Sequence, residues 1–253
     1  MEPGEPAMNP SEATHASAMI IRDALAGTST LADRLLGIGV PHLVVESLDE
    51  AHAQAQERAL HIDVVLLPTQ LASRALKGDL RRLRKRWPGE APRFIAVGPE
   101  PSSGERRQLR AAGIRLGLWE PFDDACLRFQ LNRARAKEAG PRERSTLRVP
   151  AHLPARVCVG GRSKDAVVYS LSTEGAFLET ARASMDGALL DLEIHLPGQQ
   201  IETRGRVVFA NVPGNVRRPS LPLGMAVQFE DLEPDCEQAL KRFVDSCLER
   251  LDL

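Results

Sequence analysis

Two patterns of hydrophobic and polar residues follow one another along the chain. In the first half, short apolar or β-branched segments alternate with stretches in which apolar residues recur every three or four positions. The short segments are Met19–Ile21, Leu43–Val45, Ile62–Leu67, Phe94–Val97 and Ile114–Trp119. Strands that alternate with helices build parallel sheets. This half therefore predicts a doubly wound α/β domain with five strands.

The stretches between these strands carry helix signals. The leucines of residues 31–36 have helical spacing, and Ser47–Glu50 has the spacing of a capping box, which marks a helix start. Residues 123–137 predict the last helix of this domain. The third strand, Ile62–Leu67, is apolar on both faces, as expected for a strand covered by helices on each side. These features support a sheet between two helical layers.

In the second half, strand-like segments follow one another without helices between them. They are Ala155–Val159, Ala166–Tyr169, Ala176–Glu179, Leu189–Leu196, Ile201–Phe209 and Leu223–Phe229. Glycine-containing turns separate several of them. Consecutive short strands of this kind predict an antiparallel β-barrel. A final helix beginning at Pro234 has one apolar stripe, which we expect to cover the open end of the barrel.

Length, charge and cysteine content narrow the class of protein. The chain has 253 residues, enough for two ordinary domains, and 33 Lys plus Arg against 34 Asp plus Glu give a net charge of -1. Such a balance provides no overall attraction to nucleic acid or anionic membranes. The four cysteines form no CxxC pair, which argues against zinc and favours free thiols in the cytoplasm. No apolar run approaches the ~20 residues of a transmembrane helix.

These observations predict four regions along the chain. Residues 1–17 are rich in Pro, Gly and Glu and are expected to be a disordered tail. The α/β domain covers residues 18–137, a basic linker covers 138–148, and the barrel domain covers 149–253. The Ala139–Pro141 segment marks the break between the two domains, because neither a helix nor a strand tolerates this sequence well.

The first domain resembles the receiver domain of bacterial response regulators. The resemblance rests on the order of elements and on Trp119–Phe122 after the fifth strand. A working receiver needs an acidic pair after the first strand to hold Mg²⁺, an Asp acceptor at the end of the third strand, a hydroxyl residue after the fourth, and a Lys after the fifth.

Almost none of these groups is present. Only Asp23 is acidic after the first strand, and Pro68 occupies the acceptor position. Gly98 stands in the hydroxyl position and Glu120 replaces the lysine. We therefore expect a degenerate receiver-like domain with no phosphorylation site and no metal, which presents a docking or dimerising surface to a protein partner.

A cluster of basic residues, Arg81–Arg86, follows the third strand. One interpretation is that the cluster binds an acidic partner or nucleic acid. The other, which we favour, is that it forms the solvated surface of a helix. No helix-turn-helix follows the receiver-like half, because strands begin there instead. We therefore expect no DNA binding.

Two short motifs occur at the entrance of the barrel and after its second strand. The first is the pair Arg144 and Arg148, four residues apart, and the second contains Ser170, Ser172 and Gly175. In this order they resemble the PilZ domain, the bacterial receptor family for cyclic di-GMP. The family pattern is Arg-x-x-x-Arg followed by Asp or Asn-x-Ser-x-x-Gly. The sequence departs from it at Ser170, which replaces the Asp or Asn.

The resemblance implies a ligand site for cyclic di-GMP. Arg144 and Arg148 would bind its phosphates or guanine bases, because guanidinium binds phosphate in bidentate fashion and also pairs with guanine O6 and N7. Arg142 is a possible additional contact. The Ser172 hydroxyl would donate or accept a hydrogen bond, and Gly175 would permit a positive-φ turn and close backbone approach.

The sequence thus favours a non-enzymatic signalling effector. Its barrel would bind cyclic di-GMP, and its receiver-like domain would contact an unidentified protein partner. Motility, attachment and exopolysaccharide control are the processes that the family suggests. The alternative is an interaction protein whose barrel has lost nucleotide binding through Ser170. We find no catalytic residues, and no metal or cofactor is expected apart from the ligand.

Overall fold

A computed structural model gives the structure of two units in this chain. It describes residues 17–22, 28–58, 60–136, 147–218 and 220–253. The first unit contains residues up to 137 together with Leu251–Leu253, and the second contains residues 138–250. Except for Ser17, the predicted tail lies outside the described residues, as does the predicted linker before Leu147.

The first unit contains a five-stranded parallel sheet. Its strands are β1 (Ala18–Ile21), β2 (His42–Val45), β3 (Val64–Pro68), β4 (Arg93–Gly98) and β5 (Leu116–Trp119). The spatial order is β2-β1-β3-β4-β5, which is the flavodoxin-like order found in receiver domains. The predicted fold class of this half is confirmed, with the same five strands in the predicted sequence order.

Helices cover both faces of this sheet. They are α1 (Thr28–Gly37), α2 (Leu48–Glu57), α3 (Leu76–Arg86), α4 (Ser103–Ala111) and α5 (Asp124–Arg135). Along β3, Val64 and Leu66 belong to one apolar cluster, whereas Val65 and Leu67 belong to another. Successive residues of a strand point to opposite faces. The alternation explains why this central strand is apolar at every position.

Local sequence signals set several helix boundaries. The Ser47 hydroxyl accepts a hydrogen bond from the backbone N–H of Glu50 at 3.2 Å, so α2 begins where the capping signal predicts. Asp123 caps α5 in the same way through the N–H of Cys126 at 2.7 Å. Leu36 departs from its expected place in the apolar face of α1, because it is 71% exposed.

The second unit is a closed six-stranded antiparallel barrel. Its strands are β6 (Val149–Val159), β7 (Arg162–Leu171), β8 (Gly175–Glu179), β9 (Leu189–Leu196), β10 (Gln199–Asn211) and β11 (Gly224–Glu230). Their order around the barrel is β10-β11-β8-β7-β6-β9, and β9 also pairs with β10. The predicted barrel is confirmed.

Helix α6 (Pro234–Leu251) follows the last strand, as the sequence predicts. Its apolar stripe is buried at Ala239, Leu240 and Val244. That the stripe covers the open end of the barrel stays a prediction. Among the helices of the described residues, none combines the length and the apolar character needed to cross a membrane.

The long loop between β10 and β11 is organised by a buried amide. Asn211 is 1% exposed. Its Nδ2 donates to the carbonyl of Arg218 at 2.8 Å and lies within 3.4 Å of two further carbonyls, and its Oδ1 accepts from the N–H of Arg218 at 3.0 Å. One side chain therefore satisfies several backbone groups of the loop.

We expect Asn211→Ala to lower the unfolding free energy of the barrel by about 2 kcal/mol, because the loop groups lose their buried partner. This corresponds to a fall in Tm of about 8 °C for a unit of this size, measured by scanning calorimetry. The matched control is Asn215→Ala, because Asn215 is an exposed residue of the same loop. Equal shifts for both variants would contradict the assignment.

Candidate functional site

The turn between β7 and β8 contains the second sequence motif. The backbone N–H and the hydroxyl of Ser172 both donate to the carbonyl of Gly175, at 2.9 and 3.1 Å. Ser172 is buried. In this structure its hydroxyl proton therefore closes the turn, while the oxygen still has lone pairs that can accept a hydrogen bond.

Gly175 lies against the neighbouring strand β11. A Cβ atom at this position would stand 2.3 Å from the carbonyl oxygen of Val227. The N–H of Phe229 also donates to the carbonyl of Glu174 at 2.9 Å, which fixes the turn on β11. The backbone at Gly175 therefore lies close to the backbone of β11. The prediction of a positive φ at Gly175 is wrong, because its backbone does not adopt the left-handed conformation. Glycine is needed here for space rather than for its dihedral angles.

The first motif leads into the same end of the barrel. Strand β6 pairs with β7 so that Val149 is opposite Leu171 and Pro150 is opposite Ser170. Arg148 and Ser172 are the next residues outward on the two chains. Neighbouring strands lie about 4.8 Å apart, so the pairing brings the backbones of these two residues close together. Arg148 is half-buried.

Irregular pairing occurs beside this end of the barrel. The β6–β7 register shifts between Pro150 and Leu153, where His152 has a φ of 45°. The β7–β8 register shifts between Val168 and Ser170. Such bulges change the direction of a strand and are common next to functional sites. Here they lie on both sides of the second strand of the barrel.

Ser170, the residue that departs from the family pattern, is buried and 3% exposed. It pairs with Pro150 on one side and with Phe177 on the other. A carboxylate at this position would need partners to offset its desolvation, whereas a hydroxyl is less costly to bury. The structure thus brings Ser170, Ser172, Gly175 and Arg148 to one end of the barrel.

The remaining candidate residues, Arg142 and Arg144, lie outside the described residues. Two arginines that precede them in the sequence, Arg133 and Arg135, contribute less net positive charge than the sequence suggests. Arg133 forms an ion pair with Asp252 at 2.8 Å, and Arg135 lies 3.6 Å from Asp63. Burial lowers the pKa of Arg135. These two cations belong to α5 and are compensated within the first unit.

Backbone from β11 also lines the turn, which the sequence motifs did not indicate. Gln228 is exposed and pairs with Gly175. Its amide has both donors and acceptors, the groups needed to contact a base edge. The alternation of polar and apolar residues in β11 identifies the strand. Only the sheet order shows that this strand is the neighbour of β8.

The structure describes three of the four positions that correspond to receiver chemistry, and Asp23 lies outside the described residues. Pro68 is the last residue of β3 and is buried. Gly98 ends β4 with a φ of 137°, and Glu120, which follows β5, is exposed. A Cβ at Gly98 would stand 2.8 Å from the Thr69 hydroxyl. The Thr69 hydroxyl therefore occupies the space that a side chain at residue 98 would need.

A cavity of about 350 Å³ lies in the first unit. Its lining includes three arginines and three carboxylates, namely Arg22, Arg82, Arg86, Glu46, Asp49 and Asp79. Arg22 pairs with Glu46, and Arg82 pairs with Asp79. Equal numbers of opposite charges give this cavity little preference for an anion.

The fold and the motifs define a class of protein: a receiver-like unit followed by a small barrel with an arginine entrance and a serine–glycine turn. Comparison with protein families identifies the second part. Residues 142–246 match the PilZ domain model, so this part of the chain is a PilZ domain. The predicted family is confirmed for it.

Solved structures resemble one half or the other. Bacillus subtilis inhibitor of motility (MotI/DgrA) is 22% identical, with a TM-score of 0.35, over 43% of this chain and 51% of that protein. The PilZ domain of Escherichia coli YcgR with c-di-GMP is 16% identical, with a TM-score of 0.34, over 43% of this chain and 94% of that chain. Vibrio cholerae chemotaxis protein CheY4 is 17% identical, with a TM-score of 0.39, over 48% and 98% of the two chains.

The chain thus spans about half the length of the Bacillus protein. A search of curated proteins gave no match.

Proposed function

We propose that this protein is a non-enzymatic effector that binds cyclic di-GMP at the end of the barrel formed by Arg148, Ser170, Ser172 and Gly175. Arg144, and additionally Arg142, would approach the ligand from the chain before β6. The receiver-like unit would then pass the binding event to a protein partner. We further propose that the protein acts in the cytoplasm, in motility, attachment or exopolysaccharide control.

The observation that carries this proposal is the register of β6 and β7. It brings Arg148 next to Ser172, although the two residues are 24 positions apart in the sequence. The match to the PilZ domain supports the same ligand. Cyclic di-GMP has two phosphodiester groups, and a guanidinium can bind one of them with two parallel hydrogen bonds. The exposed amide of Gln228 is available to a base edge.

Contacts from Arg144 and Arg148 to the ligand would hold the chain before β6 against this end of the barrel. A change of this kind can alter what the receiver-like unit presents to its partner, but only by as much as the ligand prefers one state over the other. The effect on the partner is thus limited by the difference in nucleotide binding free energy between the two states.

One observation favours a second function, an adaptor without nucleotide binding. Ser170 is buried and shorter than Asp or Asn, and the Ser172 hydroxyl proton is used inside the turn. Losing a charge-assisted hydrogen bond costs about 1–3 kcal/mol, or about ten- to a hundredfold in affinity. The effector and the adaptor differ in whether the barrel still binds cyclic di-GMP with Ser170 in place of Asp or Asn.

Isothermal titration calorimetry of the full chain with cyclic di-GMP separates the two functions. We expect saturable binding in the micromolar range or tighter, which weakens as salt rises, because phosphate contacts are electrostatic. Linear pGpG and GMP serve as controls and should bind more weakly. The absence of heat with high micromolar cyclic di-GMP would decide for the adaptor.

Ser170→Asn is expected to raise the affinity for cyclic di-GMP about tenfold, because it restores an amide that donates and accepts without burying a charge. Calorimetry measures the change. Ser163→Asn, at an exposed position of the same strand, is the matched control and should leave affinity unchanged. Unchanged or weaker binding by a normally folded Ser170→Asn protein would exclude Ser170 from the site.

A further inference from the structure

The edge of the parallel sheet at β5 holds a short segment from the end of the chain. Strand β5 is last in the strand order. Asp252 forms an antiparallel bridge with Leu116, and the N–H of Leu253 donates to the carbonyl of Arg115 at 3.1 Å. Residues Leu251–Leu253 therefore extend the sheet by a few residues, in the manner of β-augmentation.

A fully buried amide recognises the backbone of this segment. Gln130 of α5 is 0% exposed. Its Nε2 donates to the carbonyl of Gly117 on β5 at 2.7 Å and to the carbonyl of Leu251 at 3.0 Å. If the segment left, one donor of a buried amide would lose its partner, which is costly unless another acceptor replaces it. The edge is therefore built to hold an extended chain.

Charged side chains recognise the middle residue of the segment. The Arg133 guanidinium lies 2.8 Å from the Asp252 carboxylate. Arg106 approaches the carbonyl of the same residue at 3.5 Å. Both cations are only partly exposed, with side-chain exposures of 24% and 19%, so their charges are screened less than those of fully exposed residues. An acidic residue is preferred at this position.

Apolar contacts recognise the flanking residue. Leu253 is 8% exposed and belongs to the same apolar cluster as Ile114 and Trp119. The indole N–H of Trp119 is buried and has no hydrogen-bond partner in the described part of the chain, and Arg106 lies over its ring at 5.4 Å. The indole N–H is therefore an unsatisfied donor in the same apolar cluster as Leu253.

We propose that this edge, formed by β5 with Gln130, Arg133 and Arg106 and called here the β5 groove, is a peptide-docking site. Its ligand would be a protein partner that presents an extended apolar–acidic–apolar segment. Leu251–Leu253 is its resident competitor. The proposal identifies the surface with which the receiver-like unit would recognise its partner. In that role it rests on the proposed function, in which nucleotide binding is passed on to a partner. Peptide binding itself requires no nucleotide.

The test uses a fluorescent peptide with the sequence of residues 248–253 and the full chain in which Leu251, Asp252 and Leu253 are replaced by Gly-Ser-Gly. We expect fluorescence anisotropy to show a Kd on the order of 10–100 μM for this vacated variant. The wild-type chain should bind at least about tenfold more weakly, because its own tethered segment competes at an effective concentration of about 1 mM.

Reversing the charges of Asp252 and Arg133 shows whether the β5 groove recognises an acidic residue or binds any extended peptide. A peptide with lysine in place of the aspartate should bind the vacated variant at least about tenfold more weakly. Adding Arg133→Glu to the protein should restore binding of the lysine peptide and weaken the original one. If the vacated variant does not fold by circular dichroism, Asp252→Lys in the full chain replaces it and should bind the original peptide more tightly than wild type does.

Three results would overturn the proposal. The first is a folded variant that binds no peptide up to about 1 mM, and the second is equal binding of the aspartate and lysine peptides. The third is a wild-type dimer that Asp252→Lys abolishes, because it would assign the β5 groove to a second copy of this chain. Because these experiments contain no cyclic di-GMP, their failure is distinct from a failure of nucleotide binding in calorimetry.

Discussion

Arg148→Ala is expected to weaken cyclic di-GMP binding about a hundredfold, because a bidentate guanidinium–phosphate contact contributes about 3 kcal/mol. The residue is half-buried and directly precedes β6, so part of its conformational freedom is already restricted before the ligand binds. Arg144→Ala, on the same motif, should have an effect of the same kind. Calorimetry with cyclic di-GMP measures both.

Arg156→Ala is the matched control for this loss. Arg156 lies on β6, eight positions further along the chain than Arg148, and is exposed beside Glu193. We expect its removal to change nucleotide affinity less than about twofold, because Arg156 lies about 20 Å along β6 from the end that contains Val149. Its exposed ion pair also contributes little to stability. Thermal unfolding of each variant shows whether the barrel is intact. Unchanged nucleotide binding in both Arg148→Ala and Arg144→Ala would place the ligand elsewhere.

Gly175→Ala is expected to destabilise the barrel by about 3 kcal/mol and to abolish measurable nucleotide binding. The new Cβ would stand 2.3 Å from a backbone oxygen of Val227. Backbone cannot move aside as a flexible side chain can, so β8 and β11 must separate locally. The turn that contains Ser172 would shift with them. The Tm of the barrel transition should fall by about 12 °C.

Gly187→Ala separates this collision from a general effect of losing a glycine. Gly187 has a φ of 80°, but beyond its chain neighbours no heavy atom of the described residues lies within 4 Å of the place that a Cβ would take. We expect a loss of about 1 kcal/mol from backbone strain alone, with unchanged nucleotide affinity. A Gly175→Ala protein as stable as wild type would show that β11 can give way to the added methyl group.

Periodicity in the sequence predicted both folds, because strand and helix spacing differ clearly in this chain. It missed the first part of β6, from Val149 to Pro154, since Pro150 and Pro154 suggest a break. In the structure this part of β6 pairs with β7, whereas pairing with β9 begins only at Ala155. A proline without an N–H is tolerated where a strand has a partner on one side. Arg148 could therefore be placed beside Ser172 only from the structure.

Other features depend on contacts between residues far apart in sequence. The amphipathic stripe of the last helix includes Leu251, but nothing in the sequence predicts that Asp252 pairs with Leu116. The same applies to Asn211, whose polar side chain is buried because a loop closes around it. The sequence likewise does not show that Gly175 lies against Val227 of β11, which is why a side chain does not fit there. Motif spacing identifies candidate residues in the sequence, whereas the contacts that each residue makes are seen only in the structure.

Hydrogen–deuterium exchange with and without cyclic di-GMP tests most directly whether the nucleotide binds at the arginine entrance and the serine–glycine turn. We expect slower exchange in residues 147–150 and 171–176 on nucleotide addition, with no change around the first-unit cavity near Arg22 and Arg82. Slower exchange at that cavity, or unchanged exchange at both barrel segments under saturating nucleotide, would contradict the account.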